Sequence, residues 1–188
     1  LMMFICLPLA WQYLFPSDFK IFSTSLMKVA TFASNFFFRT QVNYFLAPSD
    51  LFPLLHTWSL AVEEQYYILF PIFLMLTWRL GIKRILILLS IIFLISLGVA
   101  QYGAYHFPTA TFFLLPTRGW ELLVGVFAAF YLKYNTHLKS HSINQTLSLV
   151  GFAMIIYSIV EFDQTTPFPS LYTLIPTIGT GLLLEAAR

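Results

Sequence analysis

Long apolar segments separated by short polar loops make up most of the chain. About 20 apolar residues in a helix cross the roughly 30 Å hydrocarbon core of a bilayer. Segments of this kind, or the ends of them, occupy residues 1–15, 59–78, 85–102, 112–134, 143–160 and 171–187. The pattern predicts an all-α fold, a polytopic transmembrane helical bundle of about six spans. We expect residues 1–188 to form a single membrane-embedded domain.

Residues 21–38 follow a more mixed pattern. The segment approaches the length of a span, yet it contains Lys28, Asn35 and several hydroxyl side chains. This composition fits a re-entrant or interfacial helix at least as well as it fits a span. The sequence leaves both alternatives open. The turn at Pro16 predicts that Ser17 or Asp18 caps the helix that follows.

Composition supports a membrane protein and excludes several other classes. Hydrophobic residues make up 59% of the 188 residues and charged residues 10%, whereas a soluble domain has about 25% charged residues. A net charge of +2 gives no indication of a nucleic-acid partner. Cys6 is the only cysteine, which excludes an intrachain disulfide. No histidine spacing typical of metal sites occurs, so we expect no metal.

Basic residues predict an orientation, because cytoplasmic loops are enriched in Lys and Arg. With the spans above, six basic residues fall on one face: Arg79, Lys83, Arg84, Lys133, Lys139 and Arg188. The loops within residues 102–116 and 161–170 contain no Lys or Arg. We predict that the basic face is cytoplasmic. The segments that carry His56 and Arg118 then enter the membrane from one and the same face.

Polar side chains gather at the mouth of the 59–78 span. His56 precedes the helix, and helical spacing places Ser59, Glu63 and Tyr67 along one stripe, with Glu64 on the adjacent one. Ionisable groups are costly at membrane depth, which makes this cluster a functional candidate. The alternative is two acidic residues favoured by the positive end of the helix dipole.

Two aromatic residues of the same stretch also have two interpretations. Trp58 is typical of an anchor at the membrane interface, and Tyr67 is typical of a packed ring. Both are candidates for contact with substrate as well. The Trp58 ring can stack on a substrate, and the Tyr67 hydroxyl beside a carboxylate can relay a proton or bind substrate.

A second polar cluster follows Pro116. Arg118 and Glu121 are one helical turn apart and share a face with Gly125. One interpretation is an intrahelical ion pair above a close helix contact. Another is an arginine held by one carboxylate and directed at an anionic ligand. A third is an ion pair between Arg118 and Glu63 or Glu64 of the other helix.

The two clusters together resemble a known family. The runs LLHTWSLAVEEQYYILFP (54–71) and RGWELLVGVFAA (118–129) resemble the two internal signature blocks of acyltransferase family 3, membrane-bound enzymes that O-acylate bacterial cell-surface sugars. The residues around His56 are most similar to the O-antigen and peptidoglycan O-acetylase branch, which often carries a C-terminal SGNH domain. The resemblance implies a ten-helix domain in the bacterial inner membrane, of which this chain is a piece without the N-terminal helices and inactive alone.

The resemblance also implies a reaction and roles for residues. An acyl group, in this branch acetyl from acetyl-CoA, moves from a cytoplasmic thioester donor to a glycan hydroxyl, with no bound cofactor. We hypothesise that His56 or Glu63 is the general base or proton relay and that Arg118 stabilises negative charge. The residues assigned to substrate binding or to orienting these groups are Trp58, Ser59, Glu64, Tyr67 and Glu121.

Two other classes of function compete with this one. A transporter or flippase fragment would use the same buried ionisable groups as a proton or substrate path, although the sequence contains no inverted repeat. A purely structural membrane subunit would tolerate neutralisation of every charged residue in the two clusters.

Overall fold

The computed structural model describes residues 2–41, 52, 54–134, 141–163 and 165–186. These residues fold as helices joined by turns and short loops, which confirms the predicted all-α class. The α-helices are α1 (Met2–Tyr13), α2 (Pro16–Ala30), α3 (Ser34–Gln41), α4 (Thr57–Thr77), α5 (Ile82–His106), α6 (Pro108–Phe113), α7 (Leu115–Tyr134), α8 (His141–Glu161) and α9 (Leu174–Ala186). Short 3-10 helices cover Trp78–Leu80 and Leu171–Thr173. The predicted basic residues Lys139 and Arg188 lie outside the described residues.

In the part of the chain that the structure describes, three helices are long and apolar enough to cross a membrane: Thr57–Leu80, Ile82–His106 and Ser142–Glu161. Most of their side chains face away from the rest of the protein. Only 11% to 28% of the residues in the most apolar stretch of each helix are buried within it. An apolar surface of this kind is stable in lipid and costly in water. A shorter apolar helix covers Leu171–Ala186. The protein is a helical membrane protein, and the predicted total of about six spans stays a prediction.

The mixed segment 21–38 is broken rather than continuous. α2 ends at Ala30, Phe32 adopts a left-handed φ of 53°, and α3 begins at Ser34. The amide of Ala33 donates to the carbonyl of Lys28 and that of Phe32 to Val29, which is the hydrogen-bond pattern of a Schellman helix end. Since α2 has 15 residues and α3 has 8, neither reaches the length of a span. This outcome favours the re-entrant or interfacial alternative.

Two predicted helix starts differ from the structure. The predicted cap at Ser17 or Asp18 is wrong, because Phe15 precedes α2 and makes no side-chain cap hydrogen bond. Pro16 is the first residue of α2, a position that needs no amide hydrogen. The predicted segment 112–134 is interrupted at Leu114, so α7 begins at Leu115 and Pro116 is in its first turn.

The described residues form two compact units. Unit 1 comprises residues 1–77 and 113–115, and unit 2 comprises residues 78–112 and 116–188. In unit 1, α3 packs against α4, with Phe38 fully buried. In unit 2, Leu97, Ala100 and Trp120 form a buried cluster at which α5 packs against α7.

The pair α8 and α9 is the most closely packed part of unit 2. A Cβ atom added to Gly151 would lie 2.6 Å from the carbonyl oxygen of Gly179, and one added to Gly179 would lie 2.8 Å from that of Gly151. Both distances are too short for any residue but glycine. The two glycines therefore permit the close contact between these helices.

The loop between α8 and α9 has an exposed turn and a buried end. Hydrogen bonds from Thr165 and Thr166 to the Asp163 carboxylate close the turn and lower the pKa of Asp163 below its usual value. Pro169 and Ser170 are fully buried. Ser170 and Thr173 exchange the two hydrogen bonds of a capping box before α9, so the loop enters α9 in a fixed conformation.

Candidate functional site

The first cluster begins at the turn before α4. His56 is exposed, and its carbonyl accepts a 3.3 Å hydrogen bond from the Ser59 hydroxyl. The Trp58 ring meets the Phe113 ring edge to face, with 5.3 Å between centroids. Trp58 therefore packs against another aromatic ring of unit 1.

The two carboxylates of α4 lie beside its packed face. Ala61 and Val62 are the buried residues of this helix. Glu63 and Glu64 are half-buried, and Tyr67 is 59% exposed. Ser59, Glu63 and Tyr67 keep their predicted stripe because α4 is a continuous helix there. The stripe runs from a half-buried hydroxyl to an exposed phenol.

An amide pair fixes α4 against the break between α2 and α3. Asn35 and Gln65 exchange side-chain hydrogen bonds of 3.0 and 3.4 Å. Gln65 also donates to the carbonyl of Phe32 at 2.8 Å, and Asn35 donates to that of Phe113 at 3.2 Å. Since Asn35 is fully buried, these bonds offset the cost of removing its amide from water. The network holds the start of α4, and with it the first cluster, in place.

The second cluster lies in the first turns of α7. Arg118 Nη2 is 3.1 Å from Glu121 Oε2, in an i,i+3 ion pair whose side chains are 17% and 19% exposed. This confirms the predicted ion pair within the helix. Among the described residues, Glu121 Oε1 is buried without a hydrogen-bond partner. The carboxylate thus has one oxygen bound to arginine and one available to a further donor.

Aromatic rings cover the guanidinium of Arg118. Its Cζ atom is 5.0 Å from the centroid of the Phe168 ring and 5.5 Å from that of Phe112. Both distances lie within the range of cation–π attraction, about 6 Å. The charge of Arg118 is therefore balanced by one carboxylate and by two ring faces in a largely water-free setting.

A serine of α5 anchors the turn that carries Arg118. The Ser96 hydroxyl donates to the carbonyl of Pro116 at 2.6 Å and accepts from the amide of Trp120 at 3.1 Å. These two backbone groups are i and i+4, the natural partners of an α-helical turn. Thr117 also donates to the carbonyl of Thr111 at 2.7 Å. The start of α7 is therefore tied to α5 and α6 on both sides of Arg118.

A cavity of about 310 Å³ opens beside Glu121, between α7 and α9. Its wall is mostly apolar and contains two threonines. The lining residues are Glu121, Val124, Gly125, Ala128, Pro176, Thr177, Thr180, Gly181 and Leu184. The ion pair thus borders a space of the size that small ligands occupy.

The sequence of this chain matches a known protein family. The model of acyltransferase family 3, described as an acyltransferase domain, matches residues 1–187. The chain belongs to acyltransferase family 3. The family assignment made from the two sequence blocks is confirmed, and with it the class of enzyme, an acyltransferase.

Individual relatives of this acyltransferase are similar over long stretches. An uncharacterized protein of Haemophilus influenzae is 29% identical over 179 residues, which is 90% of this chain and 73% of that protein. The O-acetyltransferase OatA of Staphylococcus aureus is 32% identical over 164 residues, covering 81% of this chain and 27% of OatA. A putative O-acetyltransferase of the same species is 39% identical over 105 residues. The chain spans about a quarter of OatA's length, and no solved structure matches it.

The structure brings two of the predicted site residues together. Arg118 and Glu121 form one pair in unit 2, whereas His56, Trp58, Ser59, Glu63, Glu64 and Tyr67 lie in unit 1. The expected approach of Glu63 or Glu64 to Arg118 joins residues of different units, and it stays a prediction. So do the roles assigned to all of these residues.

Four residues that shape the two clusters were not predicted to be site residues: Asn35, Gln65, Ser96 and Phe168. Gln65 directly follows the two glutamates, and Asn35 interrupts an apolar stretch, so polarity at membrane depth was a usable signal for both. Ser96 and Phe168 gave none, because a serine or a phenylalanine is common in such helices and loops. Their importance comes only from the fold.

Proposed function

We propose that this acyltransferase transfers an acetyl group from acetyl-CoA on the cytoplasmic side to a hydroxyl of a cell-surface glycan. The proposed location is the bacterial inner membrane, which the chain crosses several times. The observation that carries the proposal is the match of the acyltransferase domain over residues 1–187. The similarity to OatA, an O-acetyltransferase, supports acetyl as the acyl group.

The geometry of unit 2 supports a site for charge stabilisation. Acyl transfer builds negative charge on the carbonyl oxygen of the thioester as the hydroxyl attacks. Arg118 provides a permanent positive charge in a largely buried setting, where such charge acts more strongly than in water. The cavity lined by Glu121, the ion-pair partner of Arg118, provides space for a ligand.

The proposed proton acceptor lies in α4 or in the turn just before it. An attacking hydroxyl must lose its proton, and His56 or Glu63 is the group assigned to accept it. Glu64 and Glu121 orient the reacting side chains, while Trp58, Ser59 and Tyr67 contact the substrates. The glycan and the acyl-CoA are the proposed partners, and a C-terminal SGNH domain is a proposed further partner.

The proposal predicts a large loss of activity in two variants of the full-length enzyme. Arg118→Ala should reduce transfer about 10²- to 10³-fold, the usual effect of losing a group that stabilises charge in the transition state. Glu63→Gln should reduce it about 10²- to 10⁴-fold if Glu63 accepts the proton. The measurement is the acetate released from the cell-surface glycan by mild base, normalised to the amount of enzyme in the membrane.

Glu161→Gln is the matched control, because Glu161 is an exposed carboxylate at the end of α8. It should acetylate normally. Near-normal acetylation by both Arg118→Ala and Glu63→Gln would show that these residues are structural and would reject the assignment.

A further inference from the structure

The α8–α9 loop contributes a ring to the surroundings of Arg118. Phe168 belongs to this loop, whereas Phe112 is the penultimate residue of α6. The two ring centroids are 6.1 Å apart and the ring planes are inclined by 51°. The guanidinium is therefore in contact with one ring from each of two separate segments of unit 2.

The two rings and the carboxylate contact the guanidinium at different atoms. The rings lie within cation–π distance of its Cζ atom. One of its nitrogens, Nη2, is 3.1 Å from Glu121 Oε2. Two ring contacts and an ion pair together restrict the position of the group more than the ion pair alone does.

The backbone beside Phe168 is held in place independently of Arg118. Pro169 and Ser170 are fully buried, and the Ser170 hydroxyl donates to the carbonyl of Pro167 at 2.6 Å. The amide of Leu171 donates to Gln101 Oε1 of α5 at 2.9 Å. The loop therefore presents the Phe168 ring from a fixed base.

We propose that Phe168 is a positioning residue for Arg118 and that the α8–α9 loop is in this way part of the acyl-transfer site. Phe112 acts with it from the other segment. The inference rests on the proposed function, in which Arg118 stabilises the negative charge of the transition state. Such a group has to be held within about 0.5 Å of its working position, and the loop supplies part of that restraint.

Substitutions at two phenylalanines of the same loop separate this role from ordinary packing. Phe168→Leu keeps an apolar side chain but removes the ring face, whereas Phe168→Tyr keeps the ring. Phe162→Leu is the matched control, because Phe162 contacts Tyr157 and Tyr172 edge to face, with centroids 6.3 and 6.1 Å apart. All three are made in the full-length enzyme in its native membrane.

The measured quantities are kcat and KM for acetyl transfer from acetyl-CoA. We expect Phe168→Leu to lower kcat about tenfold with little change in KM, equivalent to about 1.4 kcal/mol, within the range of a desolvated cation–π contact. Phe168→Tyr and Phe162→Leu should stay within about twofold of the parent enzyme. Equal losses in Phe168→Leu and Phe168→Tyr, or no loss in Phe168→Leu, would overturn the inference.

A second background shows whether Phe168 acts through Arg118. Arg118→Lys keeps the charge but removes the planar group, so Phe168→Leu should cost much less than tenfold when added to it. A full tenfold loss in that background would mean that Phe168 acts elsewhere. If Arg118→Ala keeps full activity, the proposed function of Arg118 fails. If Arg118→Ala is inactive while Phe168→Leu is normal, only the role of Phe168 fails.

Discussion

Ser96 shows how one side chain in a membrane helix can fix a functional turn of another helix. Its hydroxyl bonds both the carbonyl of Pro116 and the amide of Trp120, and Ser96 is buried. If the hydroxyl were removed, water would not reach this buried position to replace its hydrogen bonds. The helix that carries Arg118 thus depends on a residue of α5 for the geometry of its first turn.

Replacing this hydroxyl should weaken both the fold and the reaction. We expect Ser96→Ala to lower the free energy of unfolding by about 1–3 kcal/mol, since it leaves a buried backbone group with a weaker partner or none. Acetyl transfer should fall as well, because Arg118 loses restraint. Thermal denaturation of the purified enzyme in detergent and the transfer assay measure the two effects.

Ser90→Ala is the control on the same helix. The Ser90 hydroxyl is exposed and donates to the carbonyl of Leu86 in its own helix, so its loss should change stability by no more than about 0.5 kcal/mol. Equal behaviour of the two variants would contradict the role assigned to Ser96.

For single residues, spacing along the chain predicted the contacts that form within one helix. Arg118 and Glu121 are three positions apart, and helix geometry alone places them together. The contacts of Arg118 with Phe112 and Phe168 involve segments whose approach depends on how α6, α7 and the α8–α9 loop pack. No property of a phenylalanine in the sequence reveals that approach.

At the scale of helices, apolar length predicted which elements exist better than where they end. α5 is four residues longer at its C-terminal end than the predicted span 85–102, and α4 begins two residues before Ser59. The length of an apolar segment reflects the thickness of the hydrocarbon core. A helix can extend beyond that segment for as long as its backbone hydrogen bonds are satisfied. No glycine or proline lies near the helix break at Phe32, so the sequence did not show whether residues 21–38 form one helix or two.

The crossing of α8 and α9 provides a test at this scale. Gly151→Ala should destabilise the protein by about 1–3 kcal/mol, because the new methyl group would overlap the carbonyl of Gly179 and force the helices apart. Gly179→Ala should behave in the same way for the reciprocal reason. Thermal denaturation in detergent gives the comparison with the parent protein.

Gly98→Ala controls for the helix propensity of alanine. A Cβ atom at Gly98 would meet nothing within 4 Å, so this change should be neutral or slightly stabilising. If Gly151→Ala is as stable as Gly98→Ala, the two helices are not held at the distance seen here.

For the whole molecule, unit 2 has two chemically different ends. Arg79, Lys83 and Arg84 lie at or before the start of α5, and Lys133 lies at the end of α7. The opposite ends of these helices adjoin α6, which carries Phe112, and the α8–α9 loop, which carries Phe168, and neither contains Lys or Arg. The segregation of charge within unit 2 matches the pattern used to predict the orientation.

The orientation can be measured through a single introduced cysteine. In a Cys6→Ser background, we expect Glu161→Cys to react with a membrane-impermeant maleimide on cells whose inner membrane is intact. Lys83→Cys should react only after that membrane is permeabilised, because it lies at the basic end. Both parent residues are exposed. The reverse pattern would invert the orientation, and labelling of both in intact cells would contradict the separation of the two ends.

The two-part construction of the α8–α9 loop has a consequence for how related chains can differ in length. Exposed turns accept insertions, since added residues displace only solvent, and the turn closed by Asp163 and Thr166 is such a place. An insertion between Ser170 and Thr173 would break the capping box, and one between Phe168 and Ser170 would shift the ring away from Arg118. Variation in loop length among homologues should therefore concentrate before Pro167, while the spacing from Phe168 to α9 stays constant.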